Sequence, residues 1–310
     1  MTRLLHLGNV VMDLVLEVPA LPERGGDVLA TRTERTPGGG FNVLAAAARQ
    51  GLPVTYAGAH GTGPFGDRAR SALREEGIDV LSAPRPDLDT GFVVCLVDAE
   101  GERTFVTSPG AEATLTVDDL TELRPGPDDF VYISGYSLLH EANRGALTQW
   151  VPQLDQRVTV IVDPGPLVDE IPTAALKLFL ARADWWTCNA REALLLTGID
   201  DPSAAAVAVR SRLKRGSALI RTGPDGCLLH HEGTLSAIPG FTVRAVDLNG
   251  AGDAHTGVFM AALAKGLSPS DAALRANAAA AVAVTRPGPA TAPDAHALDE
   301  FLRQSRPVPR

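Results

Sequence analysis

Apolar positions repeat with two periods along this chain, and the places where one period gives way to the other mark the predicted elements. Residues 4–7 and 10–18 have strand character, the second run alternating apolar side chains with Asp13 and Glu17 before Pro19, Pro22 and Gly25-Gly26 interrupt it. A helix is predicted after Gly40, carrying residues 43–49 and ending at Gly51; a strand follows at 54–59, then a helix at 65–76 closed by Gly77. Residues 91–98 and 103–107 form a hairpin around Ala99-Glu100-Gly101. From residue 130 the alternation becomes regular: strands at 130–133, 158–162, 185–187, 218–221 and 227–231 interleave with helices at 143–154, 174–181, 191–197 and 204–215. Alternation of this kind predicts an α/β fold with a mostly parallel sheet covered by helices on both faces. Further on, Phe241, Thr242, Val243 and Val246 make a β-rich stretch, and residues 254–264 are apolar, Ala-rich and free of proline, so a loop-to-helix junction falls at Gly250-Ala251-Gly252.

Nothing in the 310 residues divides them: there is no internal repeat, low-complexity linker or charge run. One domain spanning 1–310 is expected, with a small accessory sheet from about residues 12–36 and 91–108. A hydrophobic fraction of 45% is ordinary for a soluble globular chain. The net charge of -9 argues against nonspecific nucleic-acid binding, which rests on Lys and Arg neutralising phosphates. It leaves room for a nucleotide, because backbone N–H groups and a metal ion carry that contact. Cys95, Cys188 and Cys227 are odd in number and far apart, so neither a disulfide framework nor a zinc site is expected, and a reducing cytoplasm fits. The opening residues are too short and too polar a run for a signal peptide, and no apolar run approaches the roughly 18 residues of a membrane span.

The densest chemistry lies at 247–257, D-L-N-G-A-G-D-A-H-T-G. Gly250 and Gly252 permit close backbone approach, and a helix start there aims free N–H groups and positive potential at an anion. Asp253 has two readings: a helix cap, or a general base aimed at a substrate hydroxyl beside a transferring phosphoryl group. In isolation the short motif favours the cap.

Four other segments change that balance. The run D-L-N-G-A-G-D-A-H-T-G-V-F-M-A-A-L resembles the C-terminal signature of the PfkB, or ribokinase-like, family of sugar and nucleoside kinases, usually D-T-x-G-A-G-D. Residues 8–13 resemble the family's first strand with its substrate Asp, and Gly38-Gly39-Gly40-Phe41-Asn42 its N-terminal glycine signature. Asn189 to Glu192 resembles N-x-x-E, and Thr285-Arg286-Pro287-Gly288 the C-terminal loop. The resemblance implies a three-layer α/β/α fold with a small β-sheet lid, and ATP-dependent, Mg²⁺-requiring transfer of a γ-phosphoryl group to a hydroxyl of a small carbohydrate. By the same resemblance Asp253 is the base, and Gly250, Ala251 and Gly252 form the anion hole. Asp13 and Asn42 hydrogen-bond the substrate, with Gly38 and Gly39 letting the backbone approach. Asn189 and Glu192 organise Mg²⁺ through water, Gly223 and Gly226 form the nucleotide loop, and Asn277 falls near the adenine. Asp247, Asn249, Ala283, Arg286 and Gly288 match a region that binds a monovalent cation such as K⁺ in many relatives. Lids of this family often pair between subunits, so the resemblance is consistent with a homodimer.

Each secondary position keeps a plainer reading. Asp13 could be a structural carboxylate, Asn189 with Glu192 has capping-box spacing, Gly38–Gly40 could be a flexible turn, and Phe41 could stack on a ligand or sit in the core. Gly61-Thr62-Gly63-Pro64-Phe65-Gly66 satisfies G-x-G-x-x-G, but residues 81–89 form a loop without the acidic strand end a dinucleotide fold needs. His230, His231 and His255 lack metal-ligand spacing and are expected to pack or lie at the surface. Three departures stand out. Leu248 replaces the signature Thr, leaving cation activation open; Arg221 replaces the Thr of the nucleotide loop; Gly39-Gly40-Phe41 stands where ribokinases proper carry a Lys. A guanidinium at 221 could meet phosphate in place of the hydroxyl. A sugar kinase, a nucleoside kinase and a non-catalytic sugar or nucleotide sensor are the competing functions.

Overall fold

The computed structural model describes residues 2–308, and in it the period-two runs build two separate sheets. In chain order the strands are β1 (Leu4–His6), β2 (Val10–Glu17), β3 (Arg32–Gly39), β4 (Val54–Tyr56), β5 (Asp79–Val80), β6 (Phe92–Val97), β7 (Arg103–Ser108), β8 (Phe130–Ser134), β9 (Thr159–Asp163), β10 (Trp185–Asn189), β11 (Ser217–Arg221), β12 (Gly226–His231) and β13 (Thr234–Pro239). The helices are α1 (Gly40–Arg49), α2 (Pro64–Glu75), α3 (Val117–Thr121), α4 (Gly135–Leu139), α5 (Glu141–Trp150), α6 (Thr173–Arg182), α7 (Ala190–Thr197), α8 (Pro202–Arg212), α9 (Ala251–Ala264), α10 (Pro269–Ala283) and α11 (Ala295–Gln304).

The larger sheet has nine strands in the order β13-β12-β11-β10-β9-β8-β1-β4-β5. Every pairing from β11 to β5 is parallel, and only the β11–β12 and β12–β13 pairings are antiparallel. Its strands are apolar on both faces, and alternate residues belong to different cores. Leu5, Val131, Ile133, Val160, Val162, Trp186, Ala218 and Ile220 pack with α5, α6, α7 and α8. Their neighbours Leu4, Phe130, Tyr132, Ile161, Trp185 and Leu219 pack with α1, α2, α9 and α10. Burial on both sides is what a parallel sheet between two helical layers requires, so the three-layer expectation holds.

The second sheet has the order β3-β2-β6-β7, with β2 parallel to β6 and the other pairs antiparallel. Its strands grow directly out of the larger body, since β2 follows β1 across Gly8-Asn9 and β3 runs straight into α1. The buried carboxylate of Glu112 accepts hydrogen bonds from the N–H of Gly91 (2.7 Å) and Gly110 (2.8 Å), pinning both roots of the β6–β7 hairpin.

Two local expectations change. The β-rich stretch 241–246 is irregular, and the preceding strand is β13 instead. Pro239 and Gly240 end the ladder, and the N–H groups of Val246 and Asp247 turn to Val284 O (2.7 and 3.1 Å). Gly38 and Gly39 form the end of a strand rather than a loop, opposite Val11 and Val10. No helix among the described residues is long and apolar enough to cross a membrane.

Candidate active site

The sheet reverses its winding direction between β1 and β8, and side chains from the carboxyl ends of the neighbouring strands converge beside that crevice. The N-terminus of α9 points into the same region. Gly250 is its N-cap with φ 73, and a Cβ there would lie 1.8 Å from Pro289 O, so only glycine fits this left-handed turn. Ala254 N–H bonds Gly250 O at 2.8 Å and Ala251 N–H reaches Leu248 O at 3.4 Å, whereas the N–H groups of Gly250, Gly252 and Asp253 have no partner among the described residues. Three free donors at a helix start are the kind of arrangement that can receive an anion.

Asp253 is not the cap. It stands in the first turn, and its Oδ2 accepts a hydrogen bond from Asn42 Nδ2 at 2.9 Å, an α1 side chain 211 residues away in sequence. Burial raises its pKa to about 6, with Asp163 adding to the rise while the Asn42 bond and Arg221 oppose it. The Asp13 carboxylate, on β2, makes no hydrogen bond among the described residues, and burial followed by repulsion from Asp253 raises its pKa to about 7. Gly38 exists for this carboxylate: a Cβ at that position would sit 2.1 Å from Asp13 Oδ2. Around it Asn42 Oδ1, Asn9 Oδ1 and Thr36 Oγ1 are buried without partners, Thr36 being the cross-strand neighbour of Asp13. Buried acceptors left open in this way call for an external donor. Phe41 lies in the core against α9, so the stacking alternative falls away.

Below the anion turn lies a charge cluster that sequence reasoning saw only in part. Arg221 Nη1 donates to Asp163 Oδ2 (3.0 Å), Thr187 Oγ1 (2.7 Å) and Thr256 Oγ1 (3.1 Å), and Nη2 stands 3.5 Å from Glu192 Oε2. A Cβ on Gly252 would be 3.4 Å from Arg221 Nε, so the guanidinium lies directly under the turn. Asn189 and Glu192 do form a reciprocal capping box on α7 (2.8 and 2.7 Å). Glu192 is also part of the cluster: burial and then Asp163 raise its pKa to about 7 against the pull of Arg221. Asp163 was missed; its signal was an Asp-Pro-Gly at the end of a predicted parallel strand. Three carboxylates, Asp163, Glu192 and Asp253, face one guanidinium. The surplus of negative charge fits a hydrated Mg²⁺ delivered with phosphates better than a protein-made cage, and no group of three or more His, Cys, Asp or Glu residues is placed to hold a metal ion among the described residues.

The remaining expected positions divide. Gly223 (φ 66) and Gly226 (φ 98) shape the turn between β11 and β12. The Asn277 amide is fully engaged, donating to Ile238 O (3.2 Å) and Pro239 O (3.0 Å) with its Oδ1 3.0 Å from His255 Nε2, so it braces α10 against β13 rather than offering an edge to a base. His255 is buried, and His231 stacks on Trp185. At the G-x-G-x-x-G segment the Asp89 carboxylate accepts from Phe65 N (3.1 Å) and Gly66 N (2.8 Å), occupying the α2 N-terminus that a pyrophosphate would need.

Among the residues assigned to a monovalent cation, the Asp247 carboxylate is already paired with a guanidinium. Asp247 Oδ1 accepts from Asn249 N (2.8 Å) and pairs with Arg103 Nη2 (2.5 Å), and Oδ2 accepts from Gly288 N (3.0 Å). Ala283 O already receives Arg286 N (3.1 Å) and Thr291 Oγ1 (3.0 Å), and the Arg286 side chain is exposed.

A helix-start turn with free N–H groups, a buried carboxylate beside it and open acceptors thus lie together at the crevice. The chain belongs to the pfkB family of carbohydrate kinases, whose model matches residues 1–296, and it is a phosphotransferase acting on a sugar hydroxyl. It is 31% identical to the uncharacterized sugar kinase YegV of Escherichia coli over 291 residues, covering 93% of this chain and 90% of that one. It is 30% identical to an ATP-dependent ribose-1-phosphate kinase of Halopiger xanaduensis, covering 98% and 99%. The solved structure of Thermotoga maritima ribokinase superposes with a TM-score of 0.83 at 24% identity, covering 98% of this chain and all of that one, which establishes the shared fold.

Proposed function

We propose that the protein transfers the γ-phosphoryl group of ATP to a hydroxymethyl group of a small, uncharged sugar. The observation that carries this is the Asp253–Asn42 pair at the foot of α9, facing the unpartnered carboxylate of Asp13. In the reaction the sugar oxygen forms a bond to the γ-phosphorus as the bond to the β–γ bridging oxygen breaks, ADP departs, and the hydroxyl proton passes to Asp253. The free N–H groups at Gly250, Gly252 and Asp253 stabilise charge developing on the phosphoryl oxygens, with Ala251 holding the turn. Asn189 and Glu192 would hold Mg²⁺ through water, and the ion would neutralise charge between the phosphates. Gly223 and Gly226 form the turn against which the nucleotide lies.

Asp13, Asn42, Asn9 and Thr36 accept from the sugar's hydroxyls. No cation pairs with Asp13 among the described residues, which supports a neutral polyol over a sugar phosphate. The burial of Phe41 disfavours the nucleoside alternative, because it leaves that ring unavailable to a base. An ADP-release assay across ribose, fructose, 2-keto-3-deoxygluconate, ribose 1-phosphate and several nucleosides tests the reading, and turnover only on nucleosides or only on the sugar phosphate overturns it. Sugar binding without turnover on any acceptor would establish the sensor instead.

Asp13→Asn is expected to cost about 10²-fold in kcat/KM for the sugar while stabilising the ligand-free protein at pH 8 by about 1–3 kcal/mol. The sign follows from a folded pKa of about 7 against 3.8. The contribution of this group is present below pH 4 and lost as pH rises through 7, and the amide escapes that loss. Denaturant titrations at pH 5 and pH 8 check it.

The four-stranded sheet acts as a lid that closes over the sugar and excludes water. Its edge strand β7 exposes Phe105 (56%) and Val106 (61%), and an apolar, unpaired edge supports pairing with a second copy. Sedimentation equilibrium is expected to give a dimer, dissociated by Val106→Lys; a monomeric parent protein would refute the interface. The three buried free cysteines support a cytoplasmic setting.

A further inference from the structure

Arg103 opens β7, the outer strand of the lid, and its guanidinium leaves the sheet to pair with Asp247, 144 residues further along the chain. Both side chains are largely covered. Asp247 is in turn bonded to the N–H of Asn249, the residue immediately before the Gly250 turn, and to the N–H of Gly288, next to the Pro289 whose carbonyl crowds Gly250. One carboxylate therefore holds three things: the lid strand, the approach to the anion turn, and the loop that packs beneath it. Asp13 lies on the same sheet as Arg103, and Asp253 follows the turn that Asp247 supports, so the ion pair closes a ring around the space between the two carboxylates. Burial raises the Asp247 pKa, but the N–H groups of Asn249 and Gly288 and then Arg103 outweigh it and hold the group below its usual range, so it is charged when the pair forms.

We propose that Arg103 is a positioning residue that latches the lid to the anion turn, and that its guanidinium supplies at Asp247 the positive charge that the family resemblance would assign to a monovalent cation. The proposal rests on the kinase reading above for its catalytic consequence, but not for its structural one. A covalently tethered cation differs from a free ion in one testable way: its charge does not depend on the salt present, and it is delivered only when the lid is in place. Removing the guanidinium leaves a covered carboxylate with two N–H donors and no counter-charge, a group that a small cation can then neutralise.

The experiment compares the parent protein with Arg103→Gln, Arg103→Lys and Asp247→Asn in choline chloride and in potassium chloride at equal ionic strength. For the parent, turnover and melting temperature are expected to be the same in both salts. Arg103→Gln is expected to lose about tenfold in kcat/KM in choline and to recover most of it in potassium, with a potassium-dependent rise in melting temperature of the ligand-free protein. Arg103→Lys should retain most activity in choline, and Asp247→Asn should show no response to potassium. Hydrogen exchange across residues 92–108 should quicken in Arg103→Gln and slow again with potassium. A parent protein activated by potassium, or an Arg103→Gln variant indistinguishable from it in choline, overturns the latch. If the parent phosphorylates no acceptor, the kinase reading fails by itself, and the melting and exchange measurements still decide whether Arg103 holds the lid.

Discussion

Asp253→Asn is expected to lower kcat by about 10³-fold while leaving KM for ATP within a few-fold, the signature of a lost general base. The substitution is nearly isosteric, and the new amide oxygen can still accept the Asn42 Nδ2 bond that positions the group at 2.9 Å. What disappears is a proton acceptor with a pKa near 6 beside the free N–H groups of the α9 start. In the parent enzyme kcat should fall as pH drops through about 6, because the carboxylate must be ionised to take the proton, and in the variant that limb should vanish. Stability gives an independent check. A folded pKa raised from 3.8 to about 6 means that this group's contribution is present below pH 4 and lost as pH rises through 6, so the amide should melt no lower than the parent at pH 8. Unchanged turnover would remove Asp253 from the reaction, whereas lost turnover with a collapsed melting temperature would make its role one of folding. The same pair of measurements separates this carboxylate from Asp13, whose replacement should act on the acceptor.

The turn at Gly250 and the helix behind it were legible because every determinant is local. Positive φ, free N–H groups and an Ala-rich run all lie within fifteen residues. The parallel sheet was legible for a similar reason, since strands buried on both faces carry continuous apolar runs that no surface strand would. What was not legible is where side chains go once long-range packing brings them together. Nothing near Asp253 in sequence announces Asn42, and that contact, rather than the motif, is what decides against the capping reading. Asn189 and Glu192 teach the opposite lesson: the local capping box formed as its spacing predicts, and Glu192 faces the charge cluster as well. Asn277 looked available and is consumed by three internal bonds. At 241–246 β-forming residues stay irregular, because Pro239 and Gly240 end the ladder and the N–H groups of Val246 and Asp247 find Val284 instead. Arg103 meeting Asp247 is invisible to any local pattern, since it depends on how the second sheet folds over the first.

Arg221→Met should destabilise the protein by about 3–5 kcal/mol at pH 8, because it removes one cation from a cluster that keeps its carboxylates. Asp163 and Glu192 are both largely covered, and Arg221 provides a 3.0 Å charged bond to the first and a 3.5 Å contact to the second. Burial alone would lower the Arg221 pKa, but Asp163 and Glu192 carry it above its ordinary value, so the guanidinium stays charged throughout. The pH dependence has a definite sign. Glu192 already has a folded pKa of about 7 against 4.5, so its contribution is present below pH 4.5 and lost as pH rises through 7. Without Arg221 that pKa rises further and the loss deepens, and the gap between variant and parent should be widest above pH 7 and narrow towards pH 5. Arg221→Lys should retain part of the stability, since it keeps the charge but not the fork whose Nη1 meets Asp163, Thr187 and Thr256 while Nη2 stands by Glu192. Adding Glu192→Gln to Arg221→Met should recover stability without recovering turnover, because the charge imbalance is relieved while the support under Gly252 stays missing. Denaturant unfolding of the set at pH 5 and pH 8 decides the matter, and an Arg221→Met variant as stable as the parent at pH 8 would show that the cluster is hydrated and that Arg221 does not set its charge.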